Sequence, residues 1–312
     1  MSTSGLDGVK IAKMEEQRVF TSQAPLVHLD RVTAAINGSP TPRSPVRVML
    51  WCVPRSVSTA FLKCIDGLDC RAEIFHEPYS VAYYFGPERR APPGPQIPEE
   101  GQYTYSWVRK QLEADYIGSE VIFCKDMAFA VDGRYDSIPD GFKHTFLIRK
   151  PVKALMSYHK VVNSYPGYDG EVSVKNGLPK GYAFKEAYDL YNHICATCRE
   201  KPIIVDADDL CRSPNSILRK YCDAVGLPFS QDLLSWQPSD GISSRWHCAP
   251  SFRALNSAMG THERALKSES FLFKGNNRVD LMPKDELPEG VVECSECSEP
   301  YYKKMYELRL KP

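Results

Sequence analysis

The sequence has no surplus of charge of either sign. Lys plus Arg and Asp plus Glu both count 39 among 312 residues, so the formal net charge is zero. That balance argues against a general nucleic-acid or membrane-surface binder, while leaving room for a local basic pocket. Also missing is any apolar run approaching the roughly 18 residues that a membrane helix needs. The opening MSTSGLDGVKIAKMEEQ lacks the basic, apolar and small-residue succession of a secretory signal. The expectation is a cytoplasmic protein with neither a membrane nor a nucleic acid as partner. Eleven cysteines lie between Cys52 and Cys297, an odd number without the spacing of a disulfide framework. Free thiols in a reducing compartment account for them best. There is no internal repeat, and no G-x-x-x-x-G-K-[ST] phosphate loop.

What is present suits a large core, with 43% hydrophobic residues. Residues 1–44 show no steady period and end in NGSPTPRSP, which reads as a mobile arm; residues 45–312 read as one domain. In that domain five apolar runs alternate with helical stretches: Val46 to Val53, Ala72 to Glu77, Glu120 to Met127, His144 to Arg149 and Pro202 to Asp209. This is the pattern of an α/β fold with a mostly parallel sheet of about five strands covered on both faces. Helices are expected over Val57 to Leu68, Tyr103 to Tyr116, Val152 to Val162, Ala183 to Arg199 and Pro214 to Val225. Pro151 suits the first turn of the third of these, because that position needs no N–H partner. Two Pro- and Gly-rich stretches, Gly86 to Gly101 and Ser164 to Tyr182, read as substrate loops.

The chemistry concentrates where the first strand gives way to a helix, in CVPRSVSTAF. A helix N-terminus leaves N–H groups unpaired and carries partial positive charge. Arg55 and the hydroxyls of Ser56, Ser58 and Thr59 add donors, so the composition suits a phosphate or a sulfonate. The plainer alternative is that Ser58 or Thr59 only caps a core helix. At the fourth strand, FLIRKPVKALMSYHKVV puts Arg149 at the strand end and Ser157 about two turns into the next helix. The two can converge on one phosphate, since ligands of such sheets sit beyond the carboxyl ends of strands.

Together these stretches resemble the sulfotransferase family. LWCVPRSVSTAFL is similar to its 5′-phosphosulfate loop, usually P-K-S-G-T-T, and IRKPVKALMSYHKVV to its 3′-phosphate motif. DADDLCRSPNSILRKYCDAVGLPFSQDLLSW is similar to a later family segment. The resemblance implies a three-layer α/β/α P-loop-type fold. It also implies a reaction without metal, transferring a sulfuryl group from 3′-phosphoadenylyl sulfate to a hydroxyl or amine of a small-molecule or sugar acceptor. Pro54 to Ala60 would form the cradle, with Arg55 at the family's Lys, Val57 in place of its loop Gly, and Ser56, Ser58 and Thr59 as hydroxyls. Arg149 and Ser157 fall on the 3′-phosphate ligands.

For the base, the cytosolic members carry Lys-x-His at the third strand's end; here Lys125 matches and Met127 replaces the His. Other branches use a Glu after the second strand, which makes Glu77 the first candidate, with His76 and Asp126 as alternatives. The late loop of the family is offered equally by Arg253 and Lys274. Tyr188, Tyr191 and His193 read either as adenine or acceptor contacts or as core. Three other readings stand beside this one: a P-loop kinase, a zinc site from Cys195-x-x-Cys198 and Cys294-x-x-Cys297, and a domain that binds nucleotide or a partner without transfer. No lysine lies in a setting that resembles a pyridoxal-phosphate site.

Overall fold

A computed structural model describes residues 44–91, 99–164, 167, 169–271 and 282–312. All but the last residue of the expected 1–44 arm, and Lys274, lie outside the described residues. Five strands, β1 (Val46–Cys52), β2 (Ala72–His76), β3 (Val121–Met127), β4 (Lys143–Ile148) and β5 (Ile203–Asp206), form one parallel sheet in the order β2-β3-β1-β4-β5. Successive residues of a strand point to opposite faces, and β1 is apolar on both. Met49, Trp51 and Val53 join one core with Phe75, Ile122 and Phe146. Val48, Leu50 and Cys52 join the other with Phe61, Phe123 and Leu147.

Helices close both faces and complete an α/β/α stack. One face is covered by α1 (Ser58–Asp66) and α8 (Pro214–Val225), through Phe61, Leu62, Ile217 and Tyr221. The other is covered by α2 (Pro78–Phe85), α3 (Tyr105–Glu113) and α6 (Phe184–Thr197). Between and around these run α4 (Pro151–Asn163), α5 (Gly170–Asn176), α7 (Ala207–Arg212), α9 (Pro250–Met259), α10 (Glu263–Leu266) and α11 (Glu289–Glu307). The last packs on α4, α5 and α6. No helix of the described residues is long and apolar enough to cross a membrane.

Two local departures from the sequence reading have clear causes. The fifth strand stops at Asp206, three residues short, because Asp206 Oδ1 accepts from the amides of Asp208 (3.0 Å) and Asp209 (3.1 Å) and starts α7. The stretch Ser164 to Tyr182, read as loop, contains α5, capped by Asp169 Oδ1 on the amides of Glu171 (2.7 Å) and Val172 (3.2 Å). Aromatic positions on α6 serve packing: Tyr191 lies edge-on to Phe146 at 5.7 Å, and His193 sits 4.4 Å from the ring of Tyr135.

Candidate active site

The carboxyl ends of β1, β2, β3 and β4 surround a cavity of about 590 Å³. β1 feeds it through a tight loop in which Arg55 and Val57 both take left-handed backbone, at φ 60° and 61°. Val57 is the N-cap of α1 but gives it no side-chain hydrogen bond. The first-turn amides therefore remain available to a ligand. Ser56 is fully buried and its hydroxyl donates to Val53 O at 2.7 Å, so it holds the loop together. Ala60 packs in the core below. Pro54, Arg55, Val57, Ser58 and Thr59 line the cavity.

Four arginines line the cavity, and three of them, Arg55, Arg149 and Arg264, cluster. Arg55 Nε donates to Ser157 Oγ at 3.2 Å and its Nη1 to Thr261 O at 2.5 Å. Arg149, from the end of β4, donates through Nη1 to Arg55 O at 2.8 Å, and its Nε lies 3.9 Å from Asp208 Oδ1. Asp208 also pairs with Lys153 at 2.7 Å. Arg264, on α10, lines the same cavity. Burial, then repulsion from Arg149 and Arg264, pushes the Arg55 guanidinium down to about 10. Burial likewise lowers Arg149. Guanidiniums pressed together in a poorly solvated space are stabilised by an anion among them.

β2 and β3 bring in the carboxylates. Their register sets His76 beside Lys125, and Glu77 follows in left-handed backbone at φ 59°. Lys125 is fully buried and ion-paired with Glu77 Oε1, which is also 3.5 Å from His76 Nε2. Asp126 points to the opposite face of the sheet, as strand alternation requires. There its carboxylate accepts from the amides of Tyr79 (2.5 Å), Ser80 (3.0 Å) and Met127 (2.8 Å) and from Ser80 Oγ (2.7 Å). It thus supplies the cap that α2 otherwise lacks. Of these four residues, only Glu77 lines the cavity. Lys125 and His76 stand behind it, and Asp126 is engaged elsewhere.

His262, which precedes α10, completes the wall. Its Nδ1 lies 2.9 Å from Thr59 Oγ1, and its Nε2 is buried without a protein partner. Burial, then the charges of Lys125 and Arg55, holds its pKa well below the usual histidine range. His262 is therefore a neutral imidazole near pH 7. His76 is depressed in the same way, by burial and then Lys125. Ligand atoms of His76, Glu77 and His262 lie within 4.8 Å of one another, a donor set of the kind that holds zinc. Lys125 and Arg55 place positive charge against the same spot, so the local field favours an anion over a cation. Cys195, Cys198, Cys294 and Cys297 form no such cluster among the described residues.

Sequence reading missed His262 and Arg264, both of which lie beyond the last recognisable segment. A late basic loop was expected from Arg253 or Lys274. Arg253 instead ties α9 to the preceding loop, donating to the carbonyls of Ile242, Ser243 and Trp246. The turn Gly-Thr-His-x-Arg at 260–264 offered a signal in composition, but only its return to the β1 loop gives it meaning. Both expected substrate loops reach the cavity, through Arg90 and Ala91 and through Ser173 to Leu178.

The fold and the anion-ready cradle define an α/β protein of P-loop type. A family model described as Sulfotransferase domain matches residues 46–263, and the chain belongs to this family. Branched-chain-amino-acid aminotransferase-like protein 2 of Arabidopsis thaliana is 26% identical over 201 residues, 63% of this chain and 33% of its own length. The corresponding protein 1 is 26% identical over 202 residues, 63% of this chain and 34% of its own. The chain thus spans about a third of the length of these curated relatives. Among solved structures, the sulfotransferase domain from the curacin biosynthetic pathway is 13% identical with a TM-score of 0.47, covering 86% of this chain and 100% of that one. A mouse sulfotransferase complexed with PAP is 10% identical with a TM-score of 0.43, covering 85% and 86%.

Proposed function

We propose that residues 45–312 act as one sulfotransferase domain that takes its sulfuryl group from 3′-phosphoadenylyl sulfate and delivers it to a hydroxyl or amine of a small acceptor. The observation that carries this reading is the convergence of Arg55, Arg149 and Arg264 with Ser58, Thr59 and Ser157 on one cavity that also holds Glu77. In the family motif Arg55, Ser58, Thr59, Arg149 and Ser157 fall on the two phosphate ends of the donor, and Arg264 adds a further charge beside them. The amides of α1 and Arg55 take the 5′ end, and Arg149 and Ser157 take the 3′-phosphate.

Transfer forms a bond from the acceptor oxygen or nitrogen to sulfur and breaks the bond from sulfur to the bridging oxygen. Charge collects on that oxygen, where Arg55 and the helix amides stabilise it more in the transition state than before. The acceptor's proton goes to Glu77, whose carboxylate is oriented by Lys125. Ser56 and Asp126 act indirectly, by fixing the loop and the start of α2. All eleven cysteines are free thiols, which supports a cytoplasmic setting.

The test is transfer of radiolabelled sulfate from the donor to an acceptor panel. Labelled product from the wild type and none from Arg55→Ala is the expected result. Donor binding without product across the panel would favour a nucleotide-binding protein that no longer transfers, a reading motivated by the tight engagement of Glu77 with Lys125.

A further inference from the structure

The cavity has a second end of different chemistry. Three of its four arginines, Arg55, Arg149 and Arg264, come from the β1 loop, the end of β4 and α10. Around the ends of β2 and β3 the lining includes Tyr84 and Phe85 from α2, Met127 at the end of β3, Phe129 after it, and Phe252 and Leu255 from α9. These side chains hold one another in place. The Phe129 ring meets Tyr84 edge-on at 6.3 Å and Tyr83 at 5.2 Å, and Phe85 lies 6.1 Å from Phe252. Glu77, at the end of β2, lines the cavity between the two regions.

From this we infer that the acceptor is an apolar-bodied alcohol or amine, aromatic or aliphatic, rather than a sugar. The inference rests on the sulfotransferase reading of the arginine end. A sugar brings several hydroxyls, each of which needs a partner when taken out of water. The six side chains named above offer one hydroxyl, that of Tyr84; beside them Tyr83 adds a second hydroxyl and Arg90 a guanidinium that already donates to Asp132 O. An apolar body, by contrast, gains from every contact with such a wall, and its single polar group is delivered to Glu77. Aromatic side chains fixed by their neighbours lose little freedom when the acceptor arrives.

Chain length is the discriminating variable. Calorimetric titration of a homologous series of primary alkanols into the protein saturated with adenosine 3′,5′-bisphosphate (PAP) should show affinity rising roughly three- to fourfold per added methylene until the wall is filled. Methyl glucoside should give no comparable heat. Leu255→Asn should flatten the series, with PAP affinity at the other end of the cavity reporting that the variant is folded. A flat series in the wild type, or a sugar that binds more tightly than octanol, would overturn the inference. Running the series with and without PAP separates the two readings. Length dependence that persists while PAP itself fails to bind supports the apolar acceptor end and defeats the donor assignment instead.

Discussion

The pairing of Lys125 with Glu77 gives a stringent prediction, because Lys125 has no other ion-pair partner among the described residues and Glu77 meets solvent only through the cavity. Lys125 sits on a central strand and is fully buried, and Glu77 is nearly so. Breaking a buried pair by removing one partner leaves an uncompensated charge and costs about 3–5 kcal/mol. Set against a typical stability of about 5–15 kcal/mol, Glu77→Gln alone should come close to unfolding the protein. Replacing both groups together, Glu77→Gln with Lys125→Met, removes both charges while keeping the volume, and leaves only the smaller cost of a buried amide, about 1–3 kcal/mol. The costs should therefore be strongly non-additive, with the double variant recovering most of the single-variant loss. Urea denaturation of the wild type, both single variants and the double variant measures the coupling. Costs that add within about 0.5 kcal/mol would show that the charges do not meet. The folded double variant then isolates the chemistry. With PAP binding retained, sulfation should fall by about 10²–10⁴ if Glu77 receives the proton; full turnover would move that role to His262.

Three further outcomes are expected. Asp208→Asn should weaken PAP binding about tenfold, the equivalent of roughly 1.4 kcal/mol, while leaving ADP affinity unchanged. Asp208 faces Arg149 and Lys153, and ADP has no 3′-phosphate; equal losses for both nucleotides in calorimetry would show a merely structural role. Asp126 is raised to about 7 by burial and then by the charge of Glu77. A carboxyl raised on folding stabilises fully below its unfolded pKa of about 3.9 and loses that contribution as pH rises through about 7. Asp126→Asn should therefore flatten the stability profile between about pH 4 and 7, and an unchanged denaturation midpoint slope would contradict the assignment. Val57→Gly should shift stability by less than about 1 kcal/mol, because relief of left-handed strain offsets lost burial and added chain entropy; a loss of several kcal/mol in thermal unfolding would deny the strain.

The strands were legible because a parallel sheet buried on both faces turns each strand into an apolar run, and four of the five end within a residue of expectation. Arg149 and Ser157 could be expected near one another because Pro151 fixes the helix start and keeps their separation local; both line the cavity, where Ser157 Oγ accepts from Arg55. The end of β5 was also readable in principle, since Asp206 followed by Ala-Asp-Asp is a capping sequence. Other parts were not. Period-two alternation separates Lys125 from Asp126, but nothing in the sequence says which of them faces the ligand. His262 and Arg264 reach Thr59 and the Arg55 side of the cavity across roughly two hundred residues, and composition alone could not choose between Arg253 and Arg264. Val57, in place of the family's loop Gly, keeps a left-handed φ of 61°, a conformation that favours glycine.

Calorimetric titration with PAP beside ADP, repeated on Arg149→Ala, decides whether the loop after β1 and the end of β4 together hold a nucleotide bearing both 3′- and 5′-phosphates. Tight PAP binding, weak ADP binding and loss of the difference in the variant are the predicted result. ADP binding as tightly as PAP, or neither binding at all, would contradict that assignment.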